Sequence, residues 1–110
     1  MKTGVTFPNK EVEKEYEALA LSKDQQQRQL HKHITNTIEA LKEHPKKGKK
    51  IPKRLWPKEY VQQYSIDNLW KIDLPRGWRL IYTFKAGTAI ILTVILEWMK
   101  HKDYEKRFDY

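Results

Sequence analysis

Three groups of residues carry side chains that could do chemistry. Arg79 stands in the run Trp78-Arg79-Leu80-Ile81-Tyr82, on the strand face opposite Trp78 and Leu80. A guanidinium on a rigid strand can grip a phosphate through two parallel hydrogen bonds and stabilise charge developing on it. The plainer reading of Arg79 is a salt-bridged or solvated strand residue. A tail, Glu97 to Phe108, sets His101, Lys102 and Tyr104 just past a hydrophobic run. Histidine is the usual proton shuttle near neutral pH, a neighbouring lysine supplies charge, and a tyrosine can orient or stack. A lone histidine is also an ordinary surface residue. The third group is the segment 46–54, where Lys46, Lys47, Lys49, Lys50, Lys53 and Arg54 make six of nine positions basic. Such a run attracts backbone phosphates without regard to base sequence, or it is simply a solvated loop. Tyr60, Tyr64, Trp70 and Trp78 follow it, and aromatic rings stack on unpaired bases. Strand parity equally assigns Trp70 and Trp78 to a core.

Other chemistries find no footing. The chain has no cysteine, which excludes a disulfide framework and thiolate metal sites and suits the cytoplasm. His31 and His33 stand two apart on a helical stretch and point away from each other, and His44 precedes Pro45 with no partner in view. There is no metal-ligand spacing, no glycine-rich phosphate loop and no nucleophile elbow. The N-terminus lacks the apolar core of a signal peptide, and the longest apolar run, Ala89 to Leu96, is too short to span a bilayer.

Charge distribution supports an anionic partner. The formal net charge is +8. Residues 1–44 carry seven bases and seven acids, so the entire surplus belongs to residues 45–110, with fifteen bases against seven acids. One-sided charge of this kind draws a polyanion to one surface, here RNA. The alternative is a surplus that serves solubility.

The elements that must position these groups are legible as patterns. At 110 residues the chain fits one domain, 1–110. Residues 1–8 read as a short extended segment with Val5 and Phe7 on one side. Asn9 is a fitting N-cap for a first helix with a Val12, Tyr16, Leu19 stripe. Ser22 with Gln25 reads as a capping box for a second helix, striped by Leu30, Ile34, Ile38 and Leu41 and ending near Pro45. Gly48 and Pro52 make 46–54 a loop. Residues 55–64 suit a turn or a short strand. Trp70, Ile72 and Leu74 alternate with polar residues in a half-buried strand. Pro75-Arg76-Gly77 turns the chain into a second strand, Lys85 to Thr88 turns it again, and Ala89 to Trp98 reads as a strand buried on both faces. The tail suits one helical turn, with Tyr104 and Phe108 four apart. The expected fold is α+β: an N-terminal helical hairpin on one face of a small antiparallel sheet of three or four strands, the other face open and bordered by the basic loop and tail.

In this order, Asn68-Leu69-Trp70-Lys71-Ile72, Trp78-Arg79-Leu80-Ile81-Tyr82 and His101-Lys102-Asp103-Tyr104-Glu105-Lys106-Arg107-Phe108 resemble the RelE/ParE superfamily of type II toxins, on its RelE side. The resemblance covers residues 9–110. It implies a RelE-like fold, a cognate antitoxin as partner and a ribosome-dependent endoribonuclease that cuts mRNA without a metal or other cofactor. The RNA 2′-hydroxyl would attack its own phosphate to leave a 2′,3′-cyclic end, so DNA would be inert. By the same resemblance Arg79, His101, Tyr104 and Lys53 are the catalytic candidates. Lys46, Lys47, Lys49, Lys50, Arg54, Lys71 and Lys102 are the RNA-binding ones. Relatives with a glutamate base carry it beside the basic loop, whereas no acid lies between Glu43 and Glu59 here. The base would then be a lysine or His101. Two other readings share the resemblance: a ParE-like inhibitor of DNA gyrase, and an inactive nucleic-acid-binding relative.

Overall fold

The computed structural model describes residues 2–87 and 90–108. The chain runs β1 (Lys2–Thr6), α1 (Lys10–Leu21), α2 (Gln25–Glu43), β2 (Lys49–Lys50), α3 (Lys58–Tyr64), β3 (Trp70–Asp73), β4 (Trp78–Ala86), β5 (Ile90–Lys100) and α4 (His101–Phe108), with 3-10 turns at Lys53–Leu55 and Pro75–Gly77. The strands form one sheet in the order β1-β5-β4-β3-β2.

The helical hairpin forms as its stripes require. Asn9 Oδ1 accepts from the backbone N–H of Glu11 and Val12, which starts α1. The cap of α2 is Asp24 rather than Ser22; the Asp24 carboxylate accepts from the Gln26 N–H, while Ser22 closes the end of α1. A carboxylate nearer the first turn satisfies an N-terminal donor directly and is favoured by the helix dipole. Leu30, Ile34, Ile38 and Leu41 are the buried residues of α2. They pack on Trp70, Leu74, Leu80, Tyr82 and Ile95, with Tyr16 and Leu19 of α1 and Val5 and Phe7 at the margin. Trp70 and Trp78 therefore belong to this core, Trp78 only partly buried.

Three expectations need correction. The sheet is mixed and five-stranded, because residues 2–6 run parallel to β5 in the register Lys2↔Ile90 to Thr6↔Val94. A parallel neighbour needs a long connection, and the α1–α2 hairpin between β1 and the rest supplies it. Residues 55–64 hold no strand: a 3-10 turn ends at Leu55, and Lys58–Tyr64 form α3, whose Tyr60 is buried. The second sheet face is not open. Here α3 and α4 close it over Ile51, Leu69, Ile81, Leu96 and Met99, with Tyr60, Tyr104 and Phe108 as the helices' contribution. An uncovered apolar face of that size would cost more in exposed surface than two short helices cost to order.

Smaller departures have local causes. The tail is a two-turn helix that begins at His101, since Tyr104 and Phe108, both buried, supply an anchor on each turn. The third expected turn lies partly in strand, as β4 runs through Lys85 and Ala86; Thr88 and Ala89 lie outside the described residues. A bulge between Ile81 and Tyr82 shifts the register from Ile81↔Glu97 to Tyr82↔Ile95. The Pro75–Gly77 turn is made as its residues predict, with Arg76 and Gly77 at φ of 65° and 79°.

Candidate functional site

The basic segment is tied down rather than free. Ile51 is buried in the second core, and its N–H donates to the Leu69 carbonyl at 2.8 Å. The Trp56 Nε1–H donates to the Ile51 carbonyl at 2.9 Å. Lys49 and Lys50 pair with Lys71 and Trp70 as the edge strand of the sheet. Tyr82 reaches the segment from beneath: its hydroxyl donates to the Pro45 carbonyl at 2.7 Å and accepts from the Gly48 N–H at 3.0 Å. Burial raises the Tyr82 hydroxyl pKa above the ordinary phenol value, and the Gly48 N–H works the other way. Gly48 is required by this packing, because a Cβ there would sit 2.4 Å from the Lys71 carbonyl oxygen and 2.8 Å from the Tyr82 hydroxyl.

Register then assembles the cations. Residues opposite one another across the sheet share a face. Lys49 faces Lys71, and Lys71 faces Ile81. One step along, Asp73 faces Arg79 and Arg79 faces Met99. Lys49, Lys71 and Arg79 thus lie together on the face that α4 covers. The Arg79 guanidinium carbon stands 4.6 Å from the centre of the Tyr104 ring and the Lys71 Nζ 4.8 Å from it. Arg79 Nε pairs with Asp73 Oδ1 at 3.1 Å, which holds the guanidinium by one edge. The Arg79 side chain is 18% exposed, so it is seated but reachable. The plainer reading of Arg79 is realised, since an ion pair fixes it; Lys71 stands against the same ring.

His101 opens α4. Its Nε2 pairs with the Glu105 carboxylate one turn later, and both are about half exposed. At about 100° per residue the helix puts His101 and Glu105 on one flank of the buried Tyr104–Phe108 stripe and Arg107 on the other. Lys102 is exposed on the same helix.

The remaining candidates are elsewhere. Lys46 and Lys47 line a shallow cleft with Glu43, His44, Phe84 and Ile91. Lys53 lines another, with Trp56, Lys58, Val61 and Gln62, and Arg54 is exposed on the same turn. Among the described residues, no ion pair or ring contact links these four to Arg79. Tyr104 is fully buried, a position its spacing alone did not reveal.

A second polar cluster escaped the sequence reading. The Tyr60 hydroxyl donates to the Glu97 carboxylate, and Arg107 Nη1 donates to Glu97 Oε1 and Glu59 Oε2, each at 3.0 Å. Burial holds the Glu97 pKa above the ordinary carboxylate value; Arg107 pulls it down, and Glu59 and Glu15 push it up. A lone glutamate inside a hydrophobic strand was the available signal. Its partners come from α3 and α4 and could not be read locally. Asp73 was more accessible: a tight turn at Pro75–Gly77 pairs the residue two before it with the residue two after it. Among the described residues no cluster of three or more His, Cys, Asp or Glu is arranged to hold a metal.

Comparison with known proteins now decides the family. Residues 9–97 match the family described as ParE toxin of type II toxin-antitoxin system, parDE. The chain belongs to the ParE toxin family. It is therefore a type II toxin of the RelE/ParE superfamily, whose partner is a cognate antitoxin. No curated protein and no solved structure matches it. The matched span of this ParE-family toxin contains the basic segment, Lys71 and Arg79, and ends before α4, so His101 and Tyr104 lie beyond it. Among the described residues no helix is long and apolar enough to cross a membrane.

Proposed function

We propose that this toxin is a metal-independent endoribonuclease that cuts mRNA on the ribosome. The observation that carries the reading is the convergence of Lys71 and Arg79 over one buried ring, with Lys49 in register beside them and Asp73 paired to Arg79. Three cations against one carboxylate leave a local positive surplus where a scissile phosphate would sit. Arg79 stabilises the charge that grows on the phosphoryl oxygens as the 2′-oxygen attacks and the bond to the 5′-oxygen breaks. Lys49 and Lys71 hold the flanking backbone, with Lys46, Lys47, Lys50, Lys53, Arg54 and Lys102 extending the basic surface. His101, paired with Glu105, is the proton-transfer group in this reading. The products are a 2′,3′-cyclic phosphate and a free 5′-hydroxyl. The protein works in the cytoplasm, where translating ribosomes are.

A second reading, ParE-like inhibition of DNA gyrase, is favoured by the match to the ParE toxin family. One experiment separates the two. Wild type and Arg79→Ala are added to a translating extract without antitoxin, RNA ends are mapped, and gyrase-dependent DNA breaks are assayed in parallel. The expected result is new mRNA ends with wild type and a loss of about 10²–10³-fold in cleavage with Arg79→Ala. Intact mRNA together with gyrase-dependent breaks sinks the nuclease reading and supports the second.

A further inference from the structure

Tyr104 is placed as no surface catalyst would be. Its side chain is fully buried, so its hydroxyl does not meet an RNA lying on the surface. Its ring, however, has two cations against it. The Arg79 guanidinium and the Lys71 ammonium both stand within the roughly 6 Å at which a cation is drawn to an aromatic quadrupole. The two come from adjacent strands at diagonal positions, where side chains are about 7–8 Å apart and like charges repel. The π-electron density of the one ring attracts each cation and offsets that repulsion.

The ring itself is held by other aromatic rings. Phe108 stacks on Tyr104 with centroids 4.4 Å apart, and Tyr60 meets Phe108 at 6.1 Å. Tyr60 in turn donates its hydroxyl to Glu97. A continuous run of contacts therefore links a carboxylate on β5 to the cations on β3 and β4.

We propose that Tyr104 is a positioning residue that acts through its ring: a buried platform that sets the spacing and direction of Lys71 and Arg79, braced by Phe108, Tyr60 and Glu97. The proposal rests on the nuclease reading for its effect on cleavage, but not for its effect on Arg79. An aromatic ring in this place supports the two cations whether or not it carries a hydroxyl, whereas an aliphatic side chain of similar bulk does not.

The test compares Tyr104→Phe with Tyr104→Leu and Tyr104→Met. Messenger cleavage is measured as kcat and KM, and the Arg79 Nε–H resonance is followed by NMR. A proton held over a ring face carries an upfield ring-current shift. The expected outcome is a loss of about tenfold to a hundredfold in kcat for Leu and Met, recovered in Phe, with KM changed less than threefold. The Arg79 shift is kept in Phe and lost in Leu and Met. Equal loss in Phe and Leu overturns the proposal, because the hydroxyl would then carry the role. Wild-type activity in Leu or Met overturns it as well. Tyr104→Met fills an irregular site more adaptably and keeps the comparison open if Tyr104→Leu fails to fold. A wild type that cuts no RNA removes the nuclease reading alone, and the Arg79 shift then decides the platform by itself.

Discussion

The two faces of this sheet are built from the same strands and differ in what they hold. Under α1 and α2 the contacts are those of an ordinary core, with Ile34 and Leu41 of α2 fully buried against Leu80, Tyr82 and Ile95. Under α3 and α4 the core is as apolar at its centre, but charged groups are pressed against both sides of it. Lys71 and Arg79 lie on one side, and Glu97, Glu59 and Arg107 on the other. A buried charge is costly unless it is paired. Arg79 pairs with Asp73 and Glu97 with Arg107, so the second face holds mostly buried charges that depend on their partners, which the first does not. The elements differ accordingly. The face that α2 covers is a 19-residue helix with one continuous stripe, whereas α3 and α4 have seven and eight residues.

The comparison can be broken most strongly at the first face. Ile34→Ala deletes a fully buried side chain and is expected to cost about 2–5 kcal/mol of stability, read from the denaturant midpoint. Its effect on cleavage at a temperature where the protein stays folded should be small. A variant that stays as stable as wild type would mean that this face is not the stabilising one.

At the junction of the two faces, Gly48→Ala drives a Cβ toward the Lys71 carbonyl and the Tyr82 hydroxyl. It is expected to cost about 1–3 kcal/mol and to weaken RNA binding as well, since Lys49 moves with it. Unchanged stability with normal binding would show that the basic edge is not held from below.

The smallest expected effect sharpens the contrast through pH. The folded-state pKa of Glu97 is raised by burial, so between the ordinary carboxylate pKa and that raised value the folded protein binds more protons than the unfolded chain. Stability contributed by the neutral form is present at low pH and declines as pH rises through this window. Glu97→Gln removes that decline, so the difference in melting temperature between the variant and wild type should grow in the variant's favour across the window. A difference that stays flat with pH would show that Glu97 is no charge held at a cost.

Much of the architecture was legible because its causes are local. The α2 stripe, the Asn9 cap, the Pro75–Gly77 turn and the strand parity of Trp70 and Trp78 each depend on residues within a turn or two of one another. So does the RelE/ParE superfamily resemblance, which rests on runs of neighbouring residues. The misreadings have a common form. Residues 58–64 carry Tyr60 and Tyr64 four apart, but seven residues between prolines and polar groups hold too little pattern to distinguish a short helix from a turn. The parallel β1 and the covered second face depend on segments far apart in sequence.

The amino-acid sequence by itself determined which residues could form helices and strands, that the positive charge lies in the second half, and that Arg79 sits on the face away from Trp78. Periodicity and charge are properties of neighbours along the chain, so they need no fold to be read. The tertiary structure alone decided that Tyr104 lies beneath Arg79 and Lys71, that Glu97 finds Tyr60 and Arg107, and that Gly48 must stay small for Tyr82 to reach the basic edge. Those pairings join residues 10 to 37 positions apart. Strand register and helix docking bring them within contact, and both are settled by burial of the whole core rather than by any local preference.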